Sequence, residues 1–153
     1  MSEDPADADR YWMRRAIELS HRCPPSQGAY SVGAIIVTAD GTELAAGYSR
    51  ETDEHVHAEE SALAKLDPDD PRLQGASIYS TLEPCSQRRS ARTPCAQLVI
   101  AAGLRRVVIA WREPTLFVDC VGVEQLNTAG IQVDELPDLA AEARSVNTHL
   151  LSD

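Results

Sequence analysis

The 153-residue chain has little positive charge: 14 Lys and Arg stand against 24 Asp and Glu, a formal net charge of −10 at pH 7. A surface of that sign is a poor counter-ion for nucleic-acid phosphates, so a DNA or RNA partner is not expected without a local basic patch. The concentrated positive charge near a candidate site is Arg88, Arg89 and Arg92. Three arginines can meet one substrate phosphate or form a solvated loop, but they make no duplex-binding stripe. No apolar run approaches the roughly 20 residues that span a bilayer. Met1 to Asp9 lacks the basic and apolar regions of a secretion signal. A cytoplasmic protein without a membrane partner is therefore expected. Cysteine is scarce, at four. In a reducing compartment these point to metal binding or catalysis before disulfides. Internal repeats and low-complexity linkers are absent as well, which argues for one domain, expected over 9–151 behind a flexible stretch 1–8.

What is present alternates strand and helix signals. Asp9 to Arg22 carries Trp12, Met13, Ala16, Ile17 and Leu19 at helical spacing, and Pro24-Pro25 ends it. Val32 to Thr38 is a continuous apolar, β-branched run, as in a strand covered on both faces. Asp40-Gly41 turns it back into Glu43 to Tyr48, forming a hairpin. A helix over His57 to Leu66 and a strand over Ser77 to Leu82 follow. Thr93-Pro94 opens another helix, which Gly103 closes. Arg106 to Trp111 is a buried strand, Val121 to Ala129 a short helix, Ile131 to Asp134 a fifth strand, and Pro137 to Leu151 a closing helix. An initial hairpin followed by alternating strands and helices predicts an α/β sandwich around a mixed five-stranded sheet.

The chemistry-bearing residues are His57-Ala58-Glu59, then Pro84-Cys85 with Cys85 28 positions after the histidine, and Cys95 ten further on. Zinc suits one imidazole and two thiolates, and three protein ligands leave a fourth position for water. A carboxylate beside that water can take its proton and hand it to a departing amine, and Glu59 is near enough to do so without coordinating. Cys95 falls in the first turn of a helix, where a thiolate is favoured. Taken singly these residues mean little: a His-x-Glu arises by chance, and a lone cysteine is more often a small buried hydrophobe. Together, in this order, they read as a zinc site. His55 is a rival ligand, placed in the loop ahead of the helix. His21 and His149 read as surface residues, Cys23 and Cys120 as free thiols, and Trp111 as core before it reads as a platform for a ring.

At these residues the chain resembles the cytidine deaminase superfamily, whose zinc enzymes carry the His-x-Glu…Pro-Cys signature with a later cysteine. Within it, the likeness is greatest to the deaminase domain of bifunctional riboflavin-biosynthesis enzymes. It is carried by Tyr11-Trp12-Met13-Arg14-Arg15-Ala16, His57-Ala58-Glu59, Thr81-Leu82-Glu83-Pro84-Cys85-Ser86 and Arg92-Thr93-Pro94-Cys95-Ala96. The stretch from Ile100 through Gly103 and Leu104 to Val108, and Ala129-Gly130-Ile131, continue it, so that it covers about residues 9 to 135. The resemblance implies a three-layer α/β/α fold, one catalytic zinc ion per chain, and a homodimer or homotetramer. Four departures bear on the substrate. Ala29-Tyr30-Ser31 stands before Val32-Gly33 where the riboflavin enzymes usually carry Asn-Pro, and is closer to nucleoside deaminases. Gln87 stands where His is frequent, the loop to Cys95 is one residue longer, and no reductase domain is expected after Asp153.

The expected activity is hydrolysis of a C–N bond in a cyclic amidine: an exocyclic amine on a small nucleobase-like heterocycle becomes a carbonyl and ammonia leaves. The expected substrate is a pyrimidine or purine base, nucleoside or nucleotide, or a related aminated heterocycle, with the diaminopyrimidine ribosyl phosphate of riboflavin synthesis as the alternative. Tyr30, Val32 and Trp111 are candidates to shape an apolar slot for the ring. Ala58, Gln87, Arg92 and Glu113 are candidates for further substrate contacts. Two non-enzymatic readings stay open: a structural zinc module closed by His55 as fourth ligand, and an inactive assembly subunit.

Overall fold

The computed structural model describes residues 5–26, 29–85, 92–112 and 121–151. Its elements run α1 (Pro5–Ser20), β1 (Gly33–Val37), β2 (Glu43–Tyr48), α2 (Ala58–Ala64), β3 (Ser77–Leu82), α3 (Cys95–Ala102), β4 (Arg106–Trp111), α4 (Gly122–Thr128), β5 (Gln132–Glu135), α5 (Ala140–Ser145) and α6 (Thr148–Leu151). The strands form one sheet in the order β2-β1-β3-β4-β5. β1 lies antiparallel to both β2 and β3, while β3, β4 and β5 run parallel. Gly-Ala-Ile-Ile-Val of β1 is buried at every position, as an inner strand covered on both faces must be. The edge strand β5 reads Gln-Val-Asp-Glu, with Gln132 and Glu135 exposed and Asp134 half-buried against Arg106.

Two glycines fix which helix lies on which face. A Cβ on Gly33 would fall 1.9 Å from the Ala16 carbonyl oxygen of α1, and one on Gly47 would fall 2.6 Å from the Ala58 oxygen of α2. Gly33 pairs with Tyr48 and its neighbour Ala34 with Gly47, and adjacent residues of a strand point to opposite faces. Hence α1 and α2 cover opposite faces, with α5 beside α1 and α3 beside α2. The result is the mixed five-stranded sheet between helical layers that the strand pattern and the resemblance lead one to expect. Met13, Ile35, Ile36, Ile78, Val107, Val108 and Ile109 are fully buried between the layers.

Several boundaries differ from the sequence reading. The first helix starts at Pro5, inside the stretch 1–8 expected as a flexible tail, and ends at Ser20. The third helix has Pro94, not Thr93, as N-cap, so Cys95 is its first residue. The closing helix is not continuous: a 3-10 turn over Pro137–Leu139 leads into α5, and a turn at 146–147 interrupts the helix before α6. Asn147, at that break, is 1% exposed. Its carboxamide is hydrogen-bonded to the backbone of Ser31, 116 positions away in sequence, so the local pattern gives no sign of it. Among the described residues no helix is long and apolar enough to cross a membrane.

Candidate active site

The sheet register gathers the site at one edge. β1 begins there, and β3 and β4 end there, with Leu82 paired to Trp111. Glu83 N continues the ladder by donating to Trp111 O at 3.0 Å, after which Pro84 turns the chain and delivers Cys85. On the α2 face the first turns of two helices arrive at the same place. His57 is the N-cap of α2, in extended conformation, and its backbone N–H donates to Glu60 Oε1 at 3.2 Å. Cys95 opens α3. Ala96 N donates to Cys85 O at 3.0 Å, which ties the loop to this helix.

The three side chains meet. His57 Nδ1 lies 3.5 Å from Cys85 Sγ and 3.4 Å from Cys95 Sγ, and all three donor atoms fall within 4.8 Å of one another. A tetrahedral zinc ion with ordinary Zn–N and Zn–S bonds sets its nitrogen and sulfur ligands roughly 3.5 Å apart. The donor set and its spacing therefore fit zinc. Cys95 N also donates to Cys85 Sγ at 3.2 Å, so the α3 N-terminus points an amide at a sulfur that must be anionic to bind metal. Hydrogen bonding with Cys95, and secondarily the His57 ring, holds the Cys85 thiol down to about 4 although burial opposes this. Glu59 is 4% exposed. Burial pushes its carboxyl up to about 7, only partly countered by the charge of His57 and a hydrogen bond with Ser80. A carboxyl poised near neutrality can both accept and donate a proton at working pH.

The other expected site residues divide into three groups. Tyr30 and Trp111 come together edge to face, with ring centroids 5.6 Å apart, and both are buried. Val32 lies two residues ahead of Ala34, on the face of Ser80 and α2. Ala58 is fully buried directly after His57. Arg92, half-buried, pairs with Asp53 at 2.8 Å and Glu60 at 3.5 Å, next to the first turn of α2. Gln87, Arg88, Arg89, Glu113 and Cys120 lie outside the described residues. His55 does not join the cluster; its side chain is 63% exposed and pairs with Glu54. His21 and His149 are exposed, and Cys23 is a free thiol, as expected.

Three supporting residues escaped the sequence reading. Ser80 meets Glu59 from the sheet floor. Glu60 caps α2, and its place three residues after the N-cap is a signal that could have found it. Glu83, 4% exposed, accepts from Val123 N in the first turn of α4 at 2.9 Å. A Cβ on Gly122 beside it would lie 1.9 Å from Pro84 O, so α4 presses its backbone onto the segment that carries Cys85.

Comparison with known proteins agrees with this geometry. The family profile described as the cytidine and deoxycytidylate deaminase zinc-binding region matches residues 6–111. A diaminohydroxyphosphoribosylamino-pyrimidine deaminase from Schizosaccharomyces pombe is 41% identical over 126 residues, 81% of this chain and 31% of that protein. Acinetobacter baumannii RibD (form 2) superposes with a TM-score of 0.83 at 32% identity, over 97% of this chain and 40% of that one. The Aspergillus oryzae Rib2 deaminase, a C-terminal deletion mutant crystallised at pH 6.5, gives a TM-score of 0.79 at 25% identity, over 90% and 89% of the two chains. The chain spans about a third of the length of the curated relatives it matches. With the His-Cys-Cys cluster at the helix starts and the match over residues 6–111, this chain belongs to the cytidine and deoxycytidylate deaminase family of zinc-binding domains.

Proposed function

We propose that the chain is a hydrolytic deaminase of a small aminated pyrimidine, with one zinc ion per chain held by His57, Cys85 and Cys95 and proton transfer by Glu59. The observation that carries this reading is the convergence of His57 Nδ1, Cys85 Sγ and Cys95 Sγ within 4.8 Å of one another, with the buried carboxyl of Glu59 two residues from that histidine. Bound zinc supplies a Lewis acid that makes an adjoining water acidic enough to attack near neutral pH. The Glu59 carboxylate takes the proton of the attacking water. It passes that proton to the ring nitrogen. It then takes the proton of the hydroxyl newly bonded to the ring carbon and delivers it to the amine, which leaves as ammonia as the C–N bond breaks and the carbonyl forms. Tyr30, Val32 and Trp111 form the wall for the flat ring, while Ala58, Gln87, Arg92 and Glu113 contact its substituents.

Within this class the preferred substrate is a diaminopyrimidine ribosyl phosphate, the compound for which the fission-yeast relative is named. Residues 9–151 act as one catalytic domain, in a homodimer or homotetramer that sedimentation would size. The test of the reading is a panel containing the diaminopyrimidine ribosyl phosphate, cytidine, dCMP, adenine and guanine, with ammonia release as readout. Turnover of the first compound with at least a tenfold preference in kcat/KM is expected. Preferential turnover of a cytosine nucleotide would move the substrate within the class, and no turnover of any compound would contradict the reading. A structural zinc module is disfavoured by His55, the expected fourth ligand, whose side chain is 63% exposed and pairs with Glu54.

A further inference from the structure

At the head of β1 the backbone amides of successive residues point alternately to the β2 and β3 sides. Those of Val32 go to the β2 side: Ser49 N donates to Val32 O at 3.0 Å and Val32 N to Ser49 Oγ at 2.9 Å. Gly33 N turns the other way and donates to Thr81 Oγ1 of β3 at 3.2 Å. The backbone groups of Ser31 therefore face the β3 side too. There β3 has ended at Leu82, and the chain has turned off through Glu83 and Pro84 to deliver Cys85. The lost ladder partner is replaced by a side chain 116 positions away: Ser31 N donates to Asn147 Oδ1 at 2.7 Å, and Asn147 Nδ2 donates to Ser31 O at 3.1 Å. A carboxamide offers a donor and an acceptor side by side, as a neighbouring peptide does.

We infer that Asn147 is a positioning residue for substrate binding, holding the fork between β1 and β3 so that Tyr30 and Val32 stand as a fixed wall of the ring slot. The link to the site is short. Val32 follows the gripped residue on the face of Ala34, whose partner Ser80 meets Glu59. Tyr30 precedes it and meets Trp111 edge to face. Arg50 secures the same segment from the other side, donating to Ser31 Oγ at 2.6 Å and to Tyr30 O at 3.2 Å. Asn147 lies beyond the family match, which stops at 111, so the grip is supplied from outside the motif-bearing part of the chain. His57 and Glu59 sit at the start of α2, Cys95 at the start of α3 and Cys85 in the turn after β3, whereas the hydrogen bonds of the Asn147 carboxamide, among the described residues, go to Ser31. Loosening the fork should therefore spoil the fit of the ring and leave the proton chemistry alone.

The inference rests on the deaminase reading, and its test uses the full-length, zinc-loaded chain with the diaminopyrimidine ribosyl phosphate. N147L keeps the shape and removes both bonds; N147S, smaller and polar, serves if the leucine variant does not fold. Zinc content, kcat, KM and hydrogen exchange at the Ser31 amide are measured together. The expected result is zinc as in the parent, faster Ser31 exchange, kcat within roughly threefold and KM raised about tenfold or more. Unchanged KM despite faster Ser31 exchange would overturn the inference. So would a loss of activity that only follows the folded or zinc-loaded fraction. If the parent itself releases no ammonia from any compound of the panel, the deaminase reading fails first and this inference falls with it.

Discussion

Asp9 and Glu59 are both buried carboxyls, and their surroundings push them in opposite directions. Glu59 finds no cation strong enough to offset its burial, and its carboxyl rises. Asp9 would rise for the same reason, but hydrogen bonds from Arg106 and Tyr79 and the Arg106 charge outweigh burial and hold it below the ordinary carboxylate range. The bonds are short: Arg106 Nη1 and Nη2 donate to Asp9 at 2.9 and 2.7 Å, and the Tyr79 hydroxyl at 2.6 Å. A carboxyl whose pKa falls on folding stabilises the fold above its unfolded value, and that stability is lost as pH falls through the folded value. The Asp9 contribution is thus complete above about pH 5 and fades below about pH 4. D9N should lower stability by about 1–3 kcal/mol at pH 7, and the gap from the parent should narrow below pH 4. Thermal melts of the two proteins across pH 3–8 check this; a constant gap would contradict it. The cluster lies at the first residue of β4, the end of the strand away from Cys85, so D9N should leave kcat unchanged at temperatures where it is folded.

At the scale of elements, α4 is the part whose packing bears most directly on the metal ligands. Its first residue, Gly122, rests on Pro84 with no room for a methyl group, and Glu83 caps its first turn. G122A must push α4 or Pro84 aside, at a cost of about 1–3 kcal/mol, and should weaken zinc binding about tenfold or more through displacement of Cys85. Competition with a zinc-chelating dye measures this, and unchanged zinc affinity would show that α4 does not support the site. The elements themselves were largely legible in the sequence. Val32 to Thr38 and Arg106 to Trp111 are unbroken apolar runs that fit only inner strands, and the boundaries of β2, β3 and β4 match the reading residue for residue. The cluster was legible because its residue types are scarce and their roles constrained. Glu83, Ser80 and Asn147 were not, because each acts on a partner distant in the chain. Nothing in Val146-Asn147-Thr148 reveals a bond to Ser31, and so the break in the closing helix was missed.

For the molecule as a whole, the donor atoms of His57, Cys85 and Cys95 come together from segments that lie far apart in sequence: the loop before α2, the turn after β3 and the head of α3. An ion that binds the folded chain alone adds stability in proportion to its affinity. Removing it with a chelator should lower Tm by about 5 °C or more in a chain of this size, and restoring zinc should recover the loss. Magnesium, which prefers oxygen ligands, should not. Calorimetry with and without chelator decides between these. With a net charge of −10 the chain is a poor counter-ion for polynucleotide phosphates, so single-stranded oligonucleotides should release no ammonia where the small pyrimidine does. The measurement that bears most directly on the central claim is zinc content and turnover taken together on the parent and on E59Q. One zinc per chain in both proteins, with kcat reduced about a thousandfold or more in E59Q, is the predicted result. Undiminished turnover in E59Q, or a parent that binds no stoichiometric zinc, would contradict the account.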